Sequence, residues 1–114
     1  MRKKVPLPQI EKTLRKRFTK FDGWDLLEGE GKGPDLVFEQ KFKNKLLKAF
    51  CVAGGDEVTP ETLSQVQEYA KALSGKDVEV FAKILAVPER AKVPEPIKKK
   101  MRDGKIELLI LKES

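Results

Sequence analysis

Gly33-Pro34-Asp35-Leu36-Val37-Phe38-Glu39-Gln40-Lys41-Phe42, then Lys43-Asn44-Lys45, then Leu46-Leu47-Lys48-Ala49-Phe50-Cys51-Val52-Ala53, is the stretch whose reading decides the fold. Two runs rich in β-branched and aromatic residues flank a short basic tripeptide. That pattern predicts strands over Asp35–Phe42 and Leu46–Ala53, joined as a hairpin. Gly54-Gly55-Asp56 then breaks the chain. With Lys43-Asn44-Lys45 as the turn, Asp35 pairs opposite Ala53 and shares a face with Ala49, Cys51 and Ala53. A shift of one residue puts Lys48, Phe50 and Val52 there instead, because side chains alternate between faces.

Upstream of the hairpin, Leu7, Ile10, Leu14, Phe18 and Phe21 recur at helical spacing, which predicts an amphipathic helix over 8–20, entered through Pro6 and Pro8 and ended by Asp22-Gly23. Trp24–Glu28 reads as a first strand. Gly29-Glu30-Gly31-Lys32-Gly33 is a loop, and not a phosphate-binding Walker loop. It lacks the Gly-Lys-Ser/Thr ending, and a strand follows where a helix should begin.

Downstream, Thr59 is a good N-cap, with Pro60 at the first helical position and Glu61 in the first turn. Leu63, Val66, Ala70 and Leu73 form the buried stripe of that helix, and Ser74-Gly75 closes it. Asp77–Val87 is nearly continuous apolar sequence and predicts an interior strand covered on both faces. Pro88–Pro96 reads as a loop, 97–103 as a short basic helix stopped by Gly104, and Ile106–Leu111 as a last strand near a sheet edge. The expected fold is α/β, a mixed β-sheet flanked by helices in the order α-β-β-β-α-β-α-β, forming a single domain over residues 1–114.

Composition narrows the chemistry. Histidine is absent, which removes Ser-His and Cys-His hydrolases and His-ligated zinc. Hydrolysis would have to run on carboxylates, lysine and a hard cation such as Mg²⁺. The one cysteine, Cys51, has no internal disulfide partner and lies among apolar residues, so it reads as a buried thiol of a reducing, cytoplasmic compartment. No stretch approaches a membrane span, and the basic start has no apolar run behind it to make a signal peptide. Abundant Lys and Glu with a single Asn suit a thermophilic source.

The net charge of +6 is unevenly placed. Residues 1–20 hold eight bases against the single acid Glu11. Lys41, Lys43, Lys45 and Lys48 form a second cluster, and Lys98, Lys99, Lys100, Arg102 and Lys105 a third. Such clusters suit a polyanionic partner, which they hold through counterion release.

Gly33-Pro34-Asp35-Leu36-Val37, opening a strand after a Gly-rich loop, resembles the signature of the PD-(D/E)XK nucleases. Archaeal-type Holliday-junction resolvases and virus-type replication-repair nucleases belong to that superfamily. Its core order of helix, three meandering strands, helix and fourth strand matches about residues 8–87. The resemblance implies a restriction-endonuclease-like fold in which Asp35 is a ligand of Mg²⁺ or Mn²⁺ and a Glu-x-Lys follows on the third strand. Glu39-Gln40-Lys41 matches that string, but it lies on the same strand as Asp35. At about 3.3 Å per residue, Glu39 sits roughly 13 Å from Asp35 in a regular strand, too far to share an ion with ligand distances of about 2.1 Å. The third strand offers Ala49, Cys51 and Ala53 in one register, and Lys48 without an acid in the other. Both placements stay open.

Glu11, on the edge of the first helix's apolar stripe, resembles the extra metal-ligating glutamate of resolvase-like members; it is also placed to pair with Arg15 one turn on. Gln65 and Tyr69 resemble the Gln-x-x-x-Tyr motif of the RecB-like branch, which would orient a lysine or touch the substrate backbone. The resemblance thus implies a metal-dependent DNA endonuclease of resolvase type, acting as a homodimer. Asp35, Glu11 and Glu39 would be its metal ligands, and Lys41 or Lys48 its catalytic cation. Lys12, Arg15, Lys16, Lys43 and Lys45 would grip phosphates, of DNA before RNA. The alternatives are a nuclease-fold protein that binds nucleic acid or a partner subunit without cutting, and a basic α/β domain unrelated to nucleases.

Overall fold

The computed structural model describes residues 7–27 and 34–112. The Gly-rich loop 29–33, Glu28 and the bases of residues 1–6 lie outside the described residues. The elements follow the expected order: α1 (Leu7–Arg15), β1 (Asp25–Leu27), β2 (Leu36–Phe42), β3 (Lys45–Ala53), α2 (Pro60–Leu73), β4 (Val78–Pro88), α3 (Glu95–Asp103) and β5 (Ile106–Leu111). The five strands form one sheet in the order β1-β2-β3-β4-β5. The first three strands meander antiparallel, and β4 and β5 run parallel to β3. Parallel neighbours need a crossover between them, and α2 and α3 supply the two crossovers.

Each sheet face carries a core. Under α1, Ile10, Leu14 and Phe18 pack on Leu36, Phe38, Ala49, Cys51, Ile84 and Leu111. On the other face, Leu63 and Val66 of α2 and Ile97 and Met101 of α3 cover Phe50, Leu85, Val87 and Ile106. Helix α2 begins as its sequence indicates: the Thr59 hydroxyl accepts the Thr62 N–H, the Thr59 N–H donates to the Thr62 hydroxyl, and Pro60 is in the first turn.

The hairpin turn is tighter than expected. Phe42 pairs with Lys45, so the loop is Lys43-Asn44 alone, and Lys43 takes a left-handed φ of 57°. Two-residue loops suit the twist of hairpin strands. The register accordingly moves by one: Leu36 stands opposite Cys51 and Phe38 opposite Ala49. Large β2 side chains thereby meet small β3 ones, and the space above Ala49 and Cys51 receives α1.

Other expectations are corrected in detail. Helix α1 stops at Arg15, because the Leu14 carbonyl accepts from both Arg17 N–H (2.9 Å) and Phe18 N–H (2.7 Å), a tight turn that folds Phe18 back into the core. Phe21, expected on the apolar stripe, is 99% exposed. Helix α3 begins at Glu95, inside the expected loop. Only Ile84–Pro88 of β4 is fully buried; its first half is partly open, since β5 begins opposite Lys83. A bulge interrupts β4: Lys48 pairs with Val80 but Ala49 with Ala82, leaving Phe81 as the extra residue. Among the described residues, no helix is long and apolar enough to cross a membrane.

Candidate nucleic-acid interface

Asp35 sits at the head of β2, as expected, and one carboxylate oxygen accepts the Ala53 N–H at 2.7 Å. Ala53 ends β3, so this bond ties the start of one strand to the end of the next. The carboxylate also acts on the Cys51 thiol. Burial, and after it the Asp35 charge, push that thiol up to about 12, so it is inert as a nucleophile.

Glu39 lies four residues further along β2, about 13 Å away in a regular strand. It stands directly across from Lys48, and the two pair at 3.6 Å. On its other side Glu39 faces Asp25 of β1. Directly opposed residues of antiparallel strands share a face, so Asp25, Glu39 and Lys48 form one row across three strands. Two like charges set side by side are unfavourable alone, and Lys48 offsets them. Asp25 was not legible as a site residue, because its neighbour Glu39 is brought to it only by strand pairing. Lys41 lies further along the same face and is exposed. On α1, Glu11 pairs with Arg15 at 3.6 Å, one turn away.

The acids implicated by the nuclease resemblance therefore do not fit a common Mg²⁺. Glu11 is paired with Arg15, Asp35 is bound to the Ala53 backbone N–H, and Glu39, four residues along β2 from Asp35, is paired with Lys48. Among the described residues, no group of three or more His, Cys, Asp or Glu is placed to hold a metal ion.

The hairpin end of the sheet gathers cations and bare aromatic rings. Lys41, Lys43 and Lys45 are all exposed there, and Phe42 between them is 52% exposed, with the Lys43 ammonium 5.6 Å from its ring centroid. The turn after α1 lies against the same end, since the Gln40 side chain donates to the Asp22 carbonyl and Gly23 packs on Gln40 with a φ of 93°. That turn presents Lys20 and Phe21. Exposed aromatics set among lysines are the signal missed in the sequence, and the Lys41-Phe42-Lys43 run contained it. Lys12 and Arg15 of α1 and Lys16 just after it are exposed. In the third cluster, Lys98 pairs with Glu95 at 3.7 Å.

Gln65 points to solvent, while Tyr69 packs edge-on against Phe50 at 6.5 Å. The glutamine that orients a lysine is Gln67. Its Oε1 accepts from Lys83 Nζ at 3.0 Å and its Nε2 donates to the Gly104 carbonyl at 3.1 Å. Its spacing of four from Leu63 places it beside the buried stripe of α2.

Comparison of the chain with protein-family models, with curated proteins and with solved structures finds no match.

Proposed function

We propose that the chain is a nuclease-fold protein that binds nucleic acid, DNA before RNA, through the hairpin end of its sheet, at single-stranded or branched regions where bases are unstacked. The observation that carries this reading is the exposure of Phe21 and Phe42 among Lys20, Lys41, Lys43 and Lys45. Bare phenylalanine rings waste apolar area in water, whereas every base offers them a flat partner worth about 1–3 kcal/mol. The surrounding ammonium groups supply the salt-sensitive attraction to phosphates. The order of elements and the position of Asp35 support the nuclease relationship.

A second reading, divalent-metal-dependent cleavage of phosphodiesters, is favoured by the row Asp25–Glu39–Lys48, where two acids and a lysine share a face.

One experiment tests both. Labelled single-stranded, duplex and four-way-junction DNA are titrated with the protein at two salt concentrations, and the same mixtures are incubated with Mg²⁺ or Mn²⁺ and run on a denaturing gel. Tight binding to the unstacked substrates is expected, weakened about tenfold or more by Phe21→Ala with Phe42→Ala. Lys43→Gln with Lys45→Gln should flatten the dependence of log K on log salt by about one to two. Binding indifferent to all four substitutions would overturn the proposal. Cutting that disappears in Glu39→Gln would establish the second reading.

A further inference from the structure

Because β5 begins opposite Lys83, the stretch Val78–Ala82 of β4 has a notch on its outer side. The notch is a cleft of about 340 Å³, lined among others by Ser74 at the end of α2, Phe81 and Lys83 of β4, and Lys105 of the turn before β5. No carboxylate lines it among the described residues. Lys83 is held by a neutral group, Gln67, which is itself fixed on the Gly104 carbonyl. A side chain at position 104 would displace the Gln67 amide from this position. Thus the glutamine, fixed on Gly104, holds the ammonium group of Lys83, a residue that also lines the cleft. Burial, and then the charge of Lys105, make the protonated form of Lys83 less favourable than usual. A bound anion would relieve that opposition.

Phe81 completes the cleft. The bulge puts it on the α1 side, 55% exposed, with its ring 5.6 Å from Trp24 and 6.5 Å from Phe18. An exposed ring beside two lysines without acids matches the two parts of a nucleotide, the base and the phosphate.

We propose that this notch binds one nucleotide unit of a single strand, with its phosphate between Lys83 and Lys105 and its base against Phe81. The inference rests on the nucleic-acid reading above and extends it to a second site at the same end of the sheet, where β4 begins beside the start of β3.

Trp24 is the chain's single tryptophan and touches Phe81, so its fluorescence reports on the cleft. The test titrates the protein with a five-residue oligothymidylate, thymidine monophosphate and inorganic phosphate. The oligonucleotide should change Trp24 emission and bind most tightly. Phe81→Leu should weaken it about tenfold, and Lys105→Gln should lower its salt slope by about one. Lys83→Met should act like Lys105→Gln; if Lys83→Met does not fold, the two exposed-site variants decide the matter. Equal response to inorganic phosphate would reduce the cleft to a simple anion site and overturn the proposal. If all three variants match the wild type while junction binding still depends on Phe21 and Phe42, the cleft inference alone fails. If the wild type binds no nucleic acid at all, the functional reading fails and takes the inference with it.

Discussion

The two sides of the sheet differ in what they ask of their residues. The β3-β4-β5 side is sandwiched between helices, and Ala49, Phe50, Cys51, Ile84, Leu85 and Ala86 are wholly buried there. The β1-β2 side keeps one face open toward Asp25, Glu39 and Lys41, and its hairpin ends in lysines and the exposed Phe42, with Phe21 in the turn beside it. Apolar burial is worth about 25 cal/mol per Å², so each residue of the side covered on both faces contributes strongly to folding. The antiparallel side buries Leu36, Val37 and Phe38, but the ends of β1 and the hairpin end of β2 stay exposed, so that surface is free to carry charge and rings that serve a partner. Residues on the two sides should therefore respond oppositely to substitution.

The strongest attempt to break that contrast is Phe50→Ala. Phe50 is fully buried between α2 and the sheet, and losing its ring should lower unfolding free energy by about 3–5 kcal/mol in a urea titration. A loss below about 1 kcal/mol would mean that the parallel side is not the stabilising one.

Cys51 sharpens the contrast by pH. Its thiol is raised in the folded chain to about 12, first by burial and then by Asp35. An unfolded thiol releases its proton near 8.5, so this contribution to stability is intact below that pH and is lost as pH rises toward 12. The limb should slope by at most about 1.4 kcal/mol per pH unit, and Cys51→Ala should flatten it by that amount. Native protein at pH 8 should also resist a thiol reagent that modifies the urea-unfolded chain at once.

On the open side, Lys48→Met leaves Asp25 and Glu39 adjacent without their cation. A loss of about 1 kcal/mol at low salt is expected, shrinking as salt is raised. An effect independent of salt would show that Lys48 matters for packing and not for charge.

What the sequence revealed divides along physical lines. Helix α2 and strand β5 were legible to the residue at most of their ends, because Thr59-Pro60, Ser74-Gly75 and Gly104 act on their immediate neighbours. Asp35 at the head of β2 was legible for the same reason. The hairpin register was not, since Lys43-Asn44-Lys45 closes equally well on paper with two or three loop residues, and packing against α1 selects the former. The partners of Glu39 were beyond reach because pairing brings Asp25 and Lys48 to it from other strands. Phe21 fitted the helical period yet fell outside the helix, and only the early turn at Leu14 explains its exposure.

The bulge at Phe81 has a bearing on how this chain tolerates changes of length. Elsewhere in β4, deleting one residue would send every side chain beyond the gap to the opposite face and turn the core inside out. At position 81 the ladder already carries one residue too many: Val80 lies opposite Lys48 and Ala82 opposite Ala49. Shortening the chain there would restore an unbroken pairing and leave Ile84, Leu85, Ala86 and Val87 on their present faces. Position 81 is thus the point in β4 where a chain one residue shorter can still fold the same way, at the expense of the ring that the notch presents.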